Sequence, residues 1–356
     1  GDLQLAAAGD LTLNEGAYVA TLGRSQALDQ AGFPAWGDKA FYSGFDPGSD
    51  PSLWLIYGNF GGFGVAAGDV NLRVQGDIEG NSGRSSVADY VVRYATNANA
   101  DVFGIDYSNI TTWYTSIADI DHGVLSSGGG NLHVDAAGDI LTTGFATPDS
   151  AIWYSDAVNN QGENLKRIAG GVINVSAGGD ILGSSFHNDG TSVSVLARGA
   201  IAEADENGAA AMVSAASSQV ELTAIGRMVL EGMVNSSIAP YDTSRFAAPF
   251  LGAQAINSDF GGKYFSGYDS TRLHLRSVAD EVRLKGDLEW GGAFSQYFSG
   301  VGSTGFRSML AANYMLPANV TLESLAADVV LDSRAAQLEV SGSQFNIDEN
   351  ALTLFP

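Results

Sequence analysis

Apolar and polar residues alternate along this chain in short paired runs. Four segments carry the pattern in its clearest form: GDLQLAAAGDLTL from Gly1, GDVNLRVQGDIEG from Gly68, GNLHVDAAGDILT from Gly130 and GVINVSAGGDILG from Gly171. In each, two alternating runs begin eight residues apart. Leu3 and Leu5 fall on one side with Gln4 on the other, and Leu11 and Leu13 repeat that parity around Thr12. This is the period-2 signature of half-buried strands. The same parity holds at Val70/Leu72, Leu132/Val134 and Ile173/Val175. Between the runs stand small residues and the pairs Gly9-Asp10, Gly76-Asp77, Gly138-Asp139 and Gly179-Asp180. Glycine reaches positive φ without strain and an aspartate can bond the backbone that follows it, so these pairs predict corners between strands.

Weaker copies follow at Val193/Val195, Val220/Leu222 and Leu273/Leu275. A rapid series then runs through Val320/Leu322, Val329/Leu331, Leu338/Val340, Phe345/Ile347 and Leu352/Leu354. Strand, corner, strand, corner without interruption is what the coils of a parallel β-helix require. The apolar side chains of one doublet cannot offset the entropy of ordering its backbone, so such units gain stability only by stacking. The two ends, Gly1-Asp2-Leu3 and Leu354-Phe355-Pro356, then read as open edges able to pair with further coils or neighbouring chains. Helical signals are scarce; the best segment, Ser308 to Met315, is short and reads equally well as loop.

Long stretches lacking the alternation separate the doublets. They run from Ala17 to Ala66, Asn81 to Ser127, Gly144 to Ala169, Asn235 to Asp269 and Gly291 to Leu316, and are read as insertions in a single solenoid domain spanning residues 1–356. The first holds Phe33, Trp36, Phe41, Tyr42, Phe45, Trp54, Tyr57, Phe60 and Phe63, a density above the 10% aromatic content of the whole chain. Two readings stand side by side: the rings fasten the insertions to the flank of the coil, or Trp36, Trp54 and Trp113 stack on sugar rings or a partner protein.

Composition narrows the function classes. With 45 glycines but only 8 prolines, the chain points to tight turns and not to a collagen or linker. Seventeen Lys and Arg stand against 40 Asp and Glu, and a formal charge of -23 repels nucleic acid and anionic lipid. The lack of cysteine removes disulfides, thiolate metal sites and thiol nucleophiles, and fits export of an unfolded chain. The chain opens on glycine, shows no signal-peptide pattern and has no apolar run long enough to span a bilayer as a helix. We read it as an internal piece of a larger protein whose targeting signal lies elsewhere.

Catalytic motifs are wanting. Parallel β-helices include polysaccharide lyases and hydrolases whose aspartates line one face, but here the aspartates recur at corners, where turn chemistry accounts for them. Stacked at one corner, Asp10, Asp77, Asp139 and Asp180 would repel each other unless solvated or bridged by a cation such as calcium. The tandem GGxGxD calcium pattern is missing, and solvated turn residues are the reading adopted, with no cofactor assigned. Of the histidines His122, His133, His187 and His274, His133 and His274 alternate with inward aliphatics and should face solvent. No HExxH, GxSxG elbow or P-loop occurs, so no catalytic, cofactor or metal residue is assigned.

The segments WLIYGNFGGFGVAAGDVNLRVQGDI, GGGNLHVDAAGDILTTG and GGVINVSAGGDILGS, with the terminal LTLFP, resemble the repeats of the filamentous haemagglutinin family, the large exoproteins of bacterial two-partner secretion. The resemblance covers most of the chain at the level of pattern. It implies a right-handed parallel β-helix, exported through an outer-membrane transporter partner and displayed on or released from a Gram-negative cell. It also implies roles in adhesion, biofilm formation or presentation of a toxic domain, and it carries no catalytic residue across. The expectation is therefore a non-enzymatic module, the coil a rigid stalk and the insertions a contact surface for host or neighbouring cells, glycans or sister molecules. A β-helical polysaccharide lyase or hydrolase and a self-assembling filament or surface-layer subunit are the alternatives.

Overall fold

The computed structural model describes residues 1–22, 24–27, 62–80, 91–95, 101–102, 105–106, 110–115, 123–155, 163–205, 208, 210–234, 270–285, 319–332, 337–341 and 344–348. The alternating runs become strands that stack in parallel, each above its counterpart in the preceding coil. The first face is one eight-stranded ladder: β1 (Leu3–Ala7), β6 (Val70–Val74), β13 (Leu132–Ala136), β18 (Ile173–Ala177), β21 (Ser192–Ala197), β24 (Gln219–Ala224), β26 (Arg272–Ser277) and β28 (Asn319–Ser324). Leu3 stacks on Val70, then Leu132, Ile173, Val193, Val220, Leu273 and Val320 in unbroken register. The protein is a parallel β-helix, as the alternation required.

Shorter strands build the second face: β2 (Leu11–Thr12), β7 (Ile78–Glu79), β14 (Ile140–Leu141), β19 (Ile181–Leu182), β22 (Ile201–Ala202), the first part of β25 (Met228–Val234), β27 (Val282–Leu284) and β29 (Val329–Leu331). Inward side chains of both faces are removed from water, with Leu72, Ile78, Leu132, Ile140, Ile173, Ile181 and Leu222 at 0% exposure. Burial of each such aliphatic is worth roughly 1.5 to 3 kcal/mol. They form one continuous apolar column along the axis.

A third face completes the coil, and the alternation did not reveal it. It comprises β3 (Tyr18–Thr21), β12 (Gly123–Ser126), β15 (Gly144–Thr147), β20 (Ser185–Asp189) and β23 (Ala211–Ala216), stacked in parallel. All of β12 is buried and so are the last four residues of β20, so these two strands lack the exposed outer side that makes a half-buried strand legible. Three of the third-face strands fall at the margins of stretches read as insertions, 17–66, 81–127 and 144–169. Those margins are therefore coil, and the true departures are shorter. In the sixth coil the corner between second and third faces straightens, and β25 runs on to pair with β22 and β27 at one end and β23 at the other.

Coil length varies widely around this constant register. Successive corner residues are 67, 62, 41 and 20 positions apart over the first five coils. The shortest is a bare three-faced coil; the others carry excursions. One excursion leaves and returns as the antiparallel pair β4 (Arg24–Ala27) and β5 (Gly62–Val65). A small antiparallel pair, β9 (Asp101–Val102) and β10 (Ile105–Asp106), lies within another. Strands β8 (Val91–Ala95) and β11 (Ile110–Thr115), from the second coil's excursion, join β16 (Ser150–Ser155) and β17 (Glu163–Ile168), from the third, in a four-stranded antiparallel sheet.

The end of the chain departs from the expected rapid series. β30 (Gln337–Ser341) and β31 (Gln344–Asp348) pair with each other as an antiparallel hairpin and do not add a coil. Only two residues separate them, a connection that suits a hairpin and is too short for a parallel crossover. The Ser308 to Met315 segment, Leu352/Leu354 and the terminal edge lie outside the described residues.

Candidate functional site

The corners are the most elaborate chemistry in the coil. Gly9, Gly76, Gly138 and Gly179 do not adopt positive φ, contrary to the expectation from the sequence. The aspartates do not fold back on their own backbone either. Asp10 Oδ1 accepts the amide of Asp77 at 2.9 Å, Asp77 that of Asp139 at 2.7 Å, Asp139 that of Asp180 at 2.7 Å, and Asp180 that of Ala200 at 2.6 Å. Each carboxylate thus reaches across to the next coil. The place a Cβ would occupy on Gly76, Gly138, Gly179 or Gly199 is filled by that carboxylate oxygen, so glycine is required by close approach. A second ladder precedes the first face: Asp2 accepts the Asp69 amide at 3.1 Å, Asp69 the Asn131 amide at 2.9 Å, and Asn131 Oδ1 the Val172 amide at 2.8 Å. There the missing Cβ of Gly68, Gly130 and Gly171 would strike the backbone of the preceding glycine.

The stacked aspartates therefore spend their charge on amide donors. Among the described residues no group of three or more His, Asp or Glu side chains converges as a metal site.

Positive φ is found at the other corners. Thr142 (φ 46) and Gly183 (φ 60) turn the chain from second to third face, and Gly190 (φ 98) and Ser217 (φ 54) turn it from third back to first. At the latter corner a polar row lies inside the coil. Thr21 Oγ1 donates to the Gly68 carbonyl at 2.6 Å, and Asn188 Nδ2 donates to the Gly171 carbonyl and to Thr147 Oγ1, both at 2.7 Å. These bonds satisfy carbonyls that the turn aims at the core.

The third face also holds a pair to which the sequence reading gave no role. His187 and Asp189, two residues apart on β20, share its outer side, and His187 Nε2 lies 2.8 Å from Asp189 Oδ2. The Asp149 amide donates to the same oxygen at 3.4 Å. A histidine beside a carboxylate can serve as a general base. His187 and Asp189 are each 3% exposed, however, which denies a substrate access to the ring. The pair acts here as a buried polar tie between coils. Its only signal in the sequence is the HND run, which puts His and Asp on one side of a strand.

His133 and His274 sit on the outer side of the first face, as the alternation implied. His133 Nδ1 lies 3.3 Å from Asn174 Nδ2, and His274 Nε2 lies 3.5 Å from Glu323. His122 lies outside the described residues. So do Trp36 and Trp54, two of the three aromatics singled out for contact. Trp113 falls on β11 opposite Ala151 and Arg93, within the four-stranded sheet made by two excursions. The structure thus places one of the three tryptophans in an element distinct from the shaft.

Beyond Ala200 the outer surface of the second face is a lattice of opposite charges. Arg227 bridges Glu203 at 3.1 Å and Glu281 at 3.3 Å, Arg283 joins Glu281 at 3.0 Å and Asp332 at 2.6 Å, and Lys285 reaches Glu203 at 3.1 Å. Burial raises the Glu203 carboxyl pKa, but a backbone hydrogen bond, Lys285 and Arg227 together outweigh it and hold the group below its ordinary value. Hydrogen bonds to Glu281 and Asp332 raise Arg283 above its own.

Comparison against protein-family models, curated proteins and solved structures gave no match to this chain. The class that its own geometry defines is the parallel β-helix with excursions carried on the corners.

Proposed function

We propose that this protein is a non-enzymatic structural module of a large secreted bacterial surface exoprotein, the β-helix serving as a rigid stalk and the excursions as its contact surface. One observation carries the reading: the first-face register is unbroken from Leu3 to Val320 while the chain between registers varies several-fold in length. A scaffold indifferent to what it carries suits display. Loops held on a rigid frame are where binding residues concentrate. Support for contact through the excursions comes from the sheet of β8, β11, β16 and β17, in which two excursions build one surface that neither could form alone. The partners proposed are a host or neighbouring cell surface, a glycan or a sister molecule, with secretion through an outer-membrane partner, as the resemblance to filamentous haemagglutinin repeats suggests. Binding of the purified chain to cells and to a glycan array tests this, alongside a variant in which residues 81–122 are replaced by a short turn. Loss of binding with the β-sheet spectrum retained is expected. Equal binding by the variant, or none by the parent chain, would remove the contact role from that excursion.

A further inference from the structure

Two excursions meet in the antiparallel sheet ordered β17, β16, β11, β8, and its register sorts their residues onto two faces. Directly paired residues of such a sheet share a face, and the side alternates from each residue to the next. One face carries Ile110, Ile152, Ile168, Tyr94 and Tyr154. Ile168, at the end of β17, lies beside the shaft: a Cβ on the corner residue Gly129 would stand 3.4 Å from its Cγ2. An antiparallel sheet with one apolar face packs that face and leaves the other to polar groups. The isoleucine face therefore accounts for how the sheet is fastened.

The composition of the opposite face is not explained by packing. One row crosses all four strands as Arg167, Ala151, Trp113 and Arg93. The next row on that face brings Trp153 between Leu165 and Thr111. Trp113 and Trp153 are thus diagonal neighbours on adjacent strands, positions about 7 to 8 Å apart. Ala151, the small residue of the group, is the register neighbour of Trp113 and Arg167 and lies two residues from Trp153 on β16. Trp113 and Arg93 come from the second coil's excursion, Trp153 and Arg167 from the third's, so the group exists only where the two excursions join.

We propose that this face binds an acidic polysaccharide, the tryptophans stacking on pyranose rings and the arginines pairing with uronate carboxylates. The inference rests on the excursions being the contact surface and names the class of ligand they take. An indole offers a flat apolar surface to the C–H face of a sugar, and a guanidinium fork matches a carboxylate in two parallel hydrogen bonds. In a chain with 17 Lys and Arg against 40 Asp and Glu, two arginines in one row with a tryptophan are a local reversal of charge. The row spans three strand spacings, about 14 Å, which suits a polymer bearing carboxylates at intervals. Glu163, a carboxylate on the same face, stands beside Ser155, roughly 14 Å along the strands from Arg167. The pairing of Arg93 with Trp113 can also serve the sheet alone, as a cation–π contact. The two roles separate by salt dependence and by the charge of the ligand.

Titration calorimetry of the whole 356-residue chain with oligosaccharides of polygalacturonate, alginate and hyaluronan, each beside its carboxyl-reduced neutral form, provides the test. At least one uronate series should bind more tightly than its neutral form, and more weakly as salt rises. Trp113→Ala and Trp153→Ala should each lower the affinity about tenfold or more, and Trp113→Phe and Trp153→Phe, which keep a ring for packing, by less. Arg93→Gln combined with Arg167→Gln should remove the preference for the carboxylate form and most of the salt dependence. Lys166→Gln takes a charge from the isoleucine face and should leave both unchanged. The proposal is overturned if no uronate series binds, if the neutral forms bind equally well, or if Lys166→Gln acts as the arginine pair does. Cell binding that persists in the arginine double variant would keep the contact role of the excursions and remove only the acidic ligand.

Discussion

From Asp10 to Ala200 each coil is fastened to the next by a carboxylate bonded to a backbone amide across a glycine; from Glu203 to Asp332 the fastening is by ion pairs between long side chains. The two regions share a core and a register, so the difference isolates what a corner device contributes. In the first region the bond is short, the donor fixed, and the side chain brief, so little rotamer freedom is lost. In the second, Arg227 retains 40% side-chain exposure and Arg283 31%, so water and salt compete for the same charges. The first device also imposes a glycine on the neighbouring coil and the second does not. That is why the Gly-Asp pattern fades where Arg227 and Glu281 take the corner.

Substitutions rank this comparison. The largest effect is expected at Gly171→Ala, whose Cβ would strike the Gly130 carbonyl and peptide, groups that cannot move without breaking the first-face ladder. A loss of roughly 3 kcal/mol or more is expected by denaturant unfolding. Next comes Asp139→Ala, expected to cost about 1 to 3 kcal/mol by exposing the Asp180 amide, while Asp139→Asn keeps an acceptor and should cost less. Gly179→Ala collides with that same carboxylate, so the double variant with Asp139→Ala should be less destabilised than the sum of the two singles. Simple additivity would show that the glycine serves something other than the aspartate.

In the second region a Glu203/Arg227 double-mutant cycle should return a coupling of only about 0.2 to 1 kcal/mol, reduced by salt. A coupling as large as the Asp139 effect would erase the contrast between the regions. The smallest effect is in acid. Because the folded-state pKa of Glu203 lies below its unfolded value, its contribution is present above the ordinary carboxylate range and disappears as pH falls through the folded value. Wild type and Glu203→Gln should therefore differ near neutrality and converge at low pH in parallel thermal melts. A gap that widens in acid would reverse the sign.

By itself, the sequence determined which residues face the core on the first and second faces, because a strand's period of two is written in adjacent residues such as Leu132, His133 and Val134. It also marked the corners, though not the reason for them, since Gly-Asp has the same composition whether it turns on positive φ or admits a carboxylate from elsewhere. Only the tertiary structure decided the rest. The third face escaped because β12 is buried throughout and β20 nearly so, which leaves no alternation to read. The partners of Asp139 and His133 escaped because they lie 41 residues away, across an excursion whose length the coil does not regulate. Stacking joins residues by height along the axis, and nothing local in a chain records the height at which an excursion returns.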